Sequence, residues 1–119
     1  DKRDKKAKKL GQLLSDKIKN KNIVLPHENQ RTKYNWYLYT VALNDSRDKV
    51  KKFLNDSGIG ATIYYDPPVH QTPFYSQFHN GKLEITEWAS KCVLSLPVHP
   101  SITEKDLDFI ANKVEEAIQ

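Results

Sequence analysis

The chain has 119 residues, 38% of them apolar, with a mean hydropathy of -0.72 and a formal net charge of +4. That length suits one domain with a core of its own, while the lean apolar content implies a very polar surface or a core completed by a partner. A single cysteine, Cys92, excludes an intrachain disulfide or a cysteine metal cluster and suggests a reducing compartment; without a membrane-length apolar run or a signal-peptide core, the expected setting is the cytoplasm.

In chain order, residues 1–20 place Ala7, Leu10, Leu14 and Ile18 on one helical stripe, with Leu13 adjoining. Lys2, Lys5, Lys6, Lys8 and Lys9 lie around it and read as a solvated outer face, since no aromatics are interleaved with them. The abrupt charged start, with no capping sequence before it, reads as the tail of something longer. Ile23 to Pro26 is a brief extended run, and His27 to Lys33 a polar loop.

The segment Asn35 to Leu43, NWYLYTVAL, predicts a central strand, with Tyr37, Tyr39, Val41 and Leu43 on one face and Trp36, Leu38, Thr40 and Ala42 on the other. Asp45 with Asp48 then opens a helix that turns Val50, Phe53 and Leu54 inward and stops at Gly58, read as its C′ residue. Ala61 to Tyr65 is a predicted short strand. Pro67, Pro68 and Pro73 stiffen the loop after it, which presents Tyr64, Tyr65, His70 and Tyr75 in few conformations. Ile85 to Lys91 follows as a helix and Cys92 to Leu96 as a strand ended by Pro97. Thr103 N-caps the last helix, with Asp106 completing a capping box and Leu107, Ile110, Val114 and Ala117 or Ile118 facing inward. These elements together predict an α+β, two-layer sandwich: a small antiparallel or mixed sheet covered by helices on one face.

Catalytic constellations are scarce. His27, His70, His79 and His99 share no metal-ligand spacing with each other or with Cys92, which sits on an apolar run as a small core residue. Neither a Walker loop nor a GxGxxG sequence occurs. Spacing alone names no reaction.

Three separated segments carry a resemblance. GIGATIYYDPPVHQTPFY, from Gly58 to Tyr75, resembles without a gap the GIGTGIHYPxPxHxQPxY segment of the DegT, DnrJ, EryC1 and StrS family of sugar aminotransferases. CVLSLPVHPSITEKDLDFI, from Cys92 to Ile110, resembles that family's SLPxHPxLTExD signature, and NWYLYTV its YHLYVI strand. Order and spacing agree over essentially the whole chain.

The resemblance implies a pyridoxal-phosphate enzyme of aspartate-aminotransferase fold type that moves an amino group from an amino acid, commonly glutamate, to a nucleotide-linked keto sugar. It also implies that residues 1–119 form only the C-terminal small domain, with 1–20 a linking helix and 21–119 its α+β core. The cofactor, its Schiff-base lysine and most phosphate contacts would belong to a large domain upstream, and the full-length protein would be a homodimer; no catalytic or cofactor-binding residue is assigned here. His70 falls on the family's loop histidine and Tyr65 on the tyrosine of its HYP segment, so these two are expected to line the substrate side. Tyr64 stands where the family has histidine, Asp66 where it has proline and Tyr37 where its strand has histidine, and Tyr64 and Tyr37 join the expected substrate-binding set. Ser95, Pro97, His99 and Pro100 belong to the signature but read as residues that turn strand into helix. The alternative is an independent small-ligand or nucleic-acid-binding module, with Tyr37, Tyr39 and the basic helix as a stacking platform.

Overall fold

The computed structural model describes residues 2–44 and 46–119. Asp1, Asp45 and the side chains of Lys2, Arg3 and Asp4 lie outside the described residues, and with them Asp45 as the start of the second helix. The elements are helix α1 (Lys2–Lys17), strands β1 (Ile23–Val24) and β2 (Tyr39–Leu43), helices α2 (Arg47–Asp56) and α3 (Glu84–Cys92), strand β3 (Val93–Leu96) and helix α4 (Glu104–Ile118). The order of the sheet is β1-β2-β3, antiparallel throughout, with Ile23 opposite Leu43 and Val41 opposite Leu94. This is the expected α+β class, the central strand included.

Helical periodicity dictates the core. Leu10, Leu14 and Ile18 from α1 and just beyond it, Val50 and Leu54 from α2, and Leu107, Ile110, Ala111, Val114 and Ala117 from α4 are buried in one cluster with Tyr39, Val41 and Leu43 of the central strand. The hydroxyl of the fully buried Tyr39 lies 2.8 Å from Ser15 Oγ, and burial pushes its pKa up. α4 starts with the capping box its sequence predicts: Asp106 N–H donates to Thr103 Oγ1 at 3.3 Å, and Thr103 N–H donates back to Asp106 Oδ2 at 2.8 Å. No helix among the described residues is long and apolar enough to cross a membrane.

Three expectations need correction. β2 starts at Tyr39, not at Asn35, because Trp36 takes a left-handed φ of 56° that breaks the alternation. The indole therefore turns inward and Tyr37, expected on one face with the buried Tyr39, Val41 and Leu43, stands 79% exposed, with Asn35 Oδ1 accepting from Tyr37 N–H at 3.0 Å. Ala61 to Tyr65 contributes a single antiparallel bridge, Thr62 to Ser95, rather than a strand. Cys92 ends α3, and the strand begins one residue later.

Candidate functional site

The loop after α2 is aimed by the way that helix ends. Gly58 takes a φ of 82°; its N–H donates to Asn55 O at 3.0 Å and Ile59 N–H to Leu54 O at 2.9 Å, the double bond of a Schellman motif. Asn55 Oδ1 then accepts from Ala61 N–H at 2.9 Å, and Thr62 exchanges both backbone bonds with Ser95 at 3.0 and 2.8 Å. The chain is thus tied to the outer side of β3 before it enters the proline-rich stretch. Beyond that stretch two short 3-10 turns, Val69–Gln71 and Tyr75–Phe78, carry His70 and an exposed aromatic group in which the Phe74 ring meets Tyr75 and Phe78 edge-on at 5.0 and 5.7 Å.

Tyr64 and Tyr65 come together with their rings at 5.4 Å, nearly perpendicular, and line a pocket of about 230 Å³. Pro68 and Val69 complete its loop wall, while Thr86, Ala89 and Ser90 of α3 with Val93 of β3 form the opposite wall. Behind it lies Arg47, which is 3% exposed. Its Nη1 donates to Ser90 O at 2.9 Å and its Nη2 to Asp66 Oδ2 at 2.8 Å. Lys91 Nζ reaches Asp66 Oδ1 at 3.2 Å from the solvent side. Arg47 first, then Lys91, hold the Asp66 carboxyl below the ordinary aspartate range.

The His70 side chain is 12% exposed, with Nε2 3.2 Å from Glu87 Oε1 and its ring edge-on to His79 at 5.1 Å. A carboxylate only accepts, so His70 Nε2 carries the proton and Nδ1 is left as the second polar atom of the ring. Glu87 Oε1 also accepts from Leu83 N–H at 3.0 Å, and that bond, followed by the one from His70, keeps the Glu87 pKa low. His79 Nε2 is buried without a partner.

Of the sequence-predicted residues, Tyr64 and Tyr65 share the pocket. His70 follows Val69 on the same loop but turns toward Glu87 of α3. Tyr37 lies apart, lining a separate pocket of about 350 Å³ with Asn35, Trp36, Val98, His99 and Pro100. Tyr39 has no exposed surface, so it cannot serve in a stacking platform. Sequence reasoning missed Arg47, Ser90 and Glu87 as residues around the loop: Arg47 and Ser90 are polar residues on the buried sides of α2 and α3, and partners distant in sequence decide what Arg47 and Glu87 meet. A hint was available in Asp66, a charge where the resembling segment has proline.

Among the described residues, no three or more His, Cys, Asp or Glu side chains gather as metal ligands. None of the described lysines is buried, and none lines the Tyr64–Tyr65 pocket. The residues present therefore do not fit pyridoxal phosphate by themselves.

Comparison with known proteins extends this picture. Residues 1–115 match the model of the DegT/DnrJ/EryC1/StrS aminotransferase family. A pleiotropic regulatory protein of Geobacillus stearothermophilus is 30% identical over 96 residues, covering 79% of this chain and 26% of that protein. The UDP-N-acetyl-3-dehydro-alpha-D-glucosamine 3-aminotransferase of Acidithiobacillus ferrooxidans is 31% identical over 83 residues, 70% of this chain and 22% of that protein. Among solved structures, that of S. venezuelae DesV in complex with a ketimine intermediate superposes with a TM-score of 0.90 at 24% identity, over 99% of this chain and 33% of that one. The chain thus spans between a fifth and a third of the length of these relatives.

Proposed function

Because the chain belongs to the DegT/DnrJ/EryC1/StrS aminotransferase family, whose members are pyridoxal-phosphate-dependent, we propose that it is the C-terminal small domain of a sugar aminotransferase. The complete protein would transfer an amino group from an amino acid, glutamate in this reading, to a nucleotide-linked keto sugar, and would act as a homodimer. The observation that carries the reading is the family match over residues 1–115, in which the rigid loop that resembles the family segment keeps its two tyrosines on one pocket. The name of the Acidithiobacillus relative supports a nucleotide-sugar substrate.

Pyridoxal phosphate supplies the electron sink for amino transfer when bound, and in this proposal it is held by a large domain elsewhere in a longer protein. The role of this chain is orientation. Tyr64 and Tyr65 offer ring faces and hydroxyls to a sugar, and the loop prolines reduce the entropy lost when that substrate is held. His70, oriented by Glu87, presents Nδ1 as an acceptor for a sugar hydroxyl.

The test compares the 119-residue chain with the same chain joined to its large domain, each given pyridoxal phosphate, glutamate and a UDP-linked keto sugar. Amino-sugar formation is expected only in the joined protein, and no bound-cofactor absorbance in the chain alone. Borohydride fixation of the cofactor to a defined lysine of this chain would overturn the domain assignment. Absence of amino-sugar product from the joined protein with any nucleotide-linked keto sugar would overturn the substrate class.

A further inference from the structure

We propose that Arg47 is a positioning residue that sets the separation between the two walls of the Tyr64–Tyr65 pocket, through Asp66 on the loop and Ser90 on α3. The proposal rests on the reading of that pocket as the substrate side. Its geometry, however, is a property of this chain and can be tested without any substrate.

Asp66 directly follows Tyr65, and Ser90 itself lines the facing wall. Between them lies one guanidinium, with Nη2 2.8 Å from Asp66 Oδ2 and Nη1 2.9 Å from Ser90 O. The two Nη atoms are fixed relative to each other by a planar, delocalised group, so the distance spanned is covalent and does not depend on a flexible chain. Burial strengthens the constraint, because opening either bond would leave a charged donor without water or a partner. Arg47 Nε lies 2.8 Å from Asp48 Oδ1 without hydrogen-bond alignment, so Nε itself is left unpartnered and the two Nη bonds alone fix the head group. Lys91 adds only a solvent-exposed point charge on the far oxygen of Asp66.

Asp66 occupies the position where the resembling family segment has proline, and a proline side chain can accept nothing from Arg47. The loop-side anchor is thus a feature of this chain, and with it the spacing that admits one ring shape over another. Tyr64, which stands where the resembling segment has histidine, and Tyr65, which falls on its tyrosine, are held by a residue that does not itself line the pocket.

The first arm of the test uses the 119-residue chain and its Asp66→Ala and Arg47→Lys variants, followed by residue-resolved amide hydrogen exchange. Gln71 and Thr72, whose N–H groups donate to Pro68 O and Val69 O within the loop, are expected to exchange about tenfold faster in both variants. The amides of Thr62 and Ser95, tied to each other across β3, should keep their rates. Lysine retains the charge but not the fork, so wild-type exchange in Arg47→Lys would overturn the proposal, as would a uniform acceleration of all amides in Asp66→Ala. The second arm places Asp66→Ala in the joined aminotransferase. A roughly tenfold rise in KM for the keto sugar, with kcat and the KM for glutamate within about twofold, supports both the clamp and the site. A loosened loop with unchanged sugar KM would leave the clamp standing and overturn the reading of this pocket as the substrate's.

Discussion

Gly11→Ala is the perturbation whose sign separates packing from helix propensity. In the middle of α1 a glycine costs about 1 kcal/mol relative to alanine, so propensity alone predicts a gain of that size. The fold predicts the reverse, because a Cβ at Gly11 would stand 2.2 Å from Trp36 Cε3 and 2.6 Å from Cζ3. These are ring carbons of a side chain 3% exposed, with Tyr34 edge-on at 5.0 Å and Tyr39 stacked at 6.3 Å, so the indole can retreat only toward the pocket it lines with Tyr37. Overpacking of this kind costs about 1–3 kcal/mol, to which the left-handed backbone of Trp36 adds resistance. A net loss of up to about 2 kcal/mol is expected after the propensity gain, read as a lower urea midpoint at unchanged m-value. Gln12→Ala, on the exposed side of the same helix, serves as the propensity control. Should Gly11→Ala raise the midpoint as much as or more than the control, the close approach of helix and indole does not constrain the fold.

Thr103→Ala removes the capping box of α4 and should cost about 1 kcal/mol in urea unfolding. Acid sensitivity follows from the lowered carboxyl pKa values of Glu28, Asp66, Glu87 and Asp106. Folded values below unfolded ones give stability that is present above the ordinary carboxylate range, roughly pH 4, and is lost as pH falls through the folded values. Urea midpoints should therefore drop on going from pH 5 to pH 2, and Asp66→Asn should make that fall shallower; a parallel fall would exclude Asp66 as a contributor. His70→Ala should lower sugar turnover in the joined enzyme, and through loss of the Glu87 bond also cost about 0.5–1.5 kcal/mol of stability. Loss of stability with intact sugar kinetics would make His70 a packing residue alone.

Periodic signals carried most of the fold. The stripes of α1, α2 and α4, the Gly58 stop and the Thr103 cap each depend on residues close in sequence, and each is found as read. The failures occur where one backbone angle or a distant partner decides. A single left-handed residue, Trp36, moves Tyr37 from the buried face to the surface, and nothing in a tryptophan's own preferences signals that angle. The site was legible only as a loop. Its sequence showed which side chains were offered but not that His70 would find Glu87, 17 residues away, or that Asp66 would find Arg47, 19 residues away.

Those two attachments tie an exposed loop with few backbone bonds to the helices. Proline limits the conformations open to each residue but does not say where the loop as a whole lies against the helices. That placement comes from charge-assisted contacts at both ends of the stretch: Asp66 to α2, and His70 to α3. Because the Arg47 side chain is 4% exposed while both partners of the Glu87 contact are partly exposed, opening the first leaves a buried guanidinium short of a partner while opening the second returns both groups to water at lower cost. The His70 end should therefore open before the Asp66 end, leaving Tyr64 and Tyr65 on the better-held side of the loop.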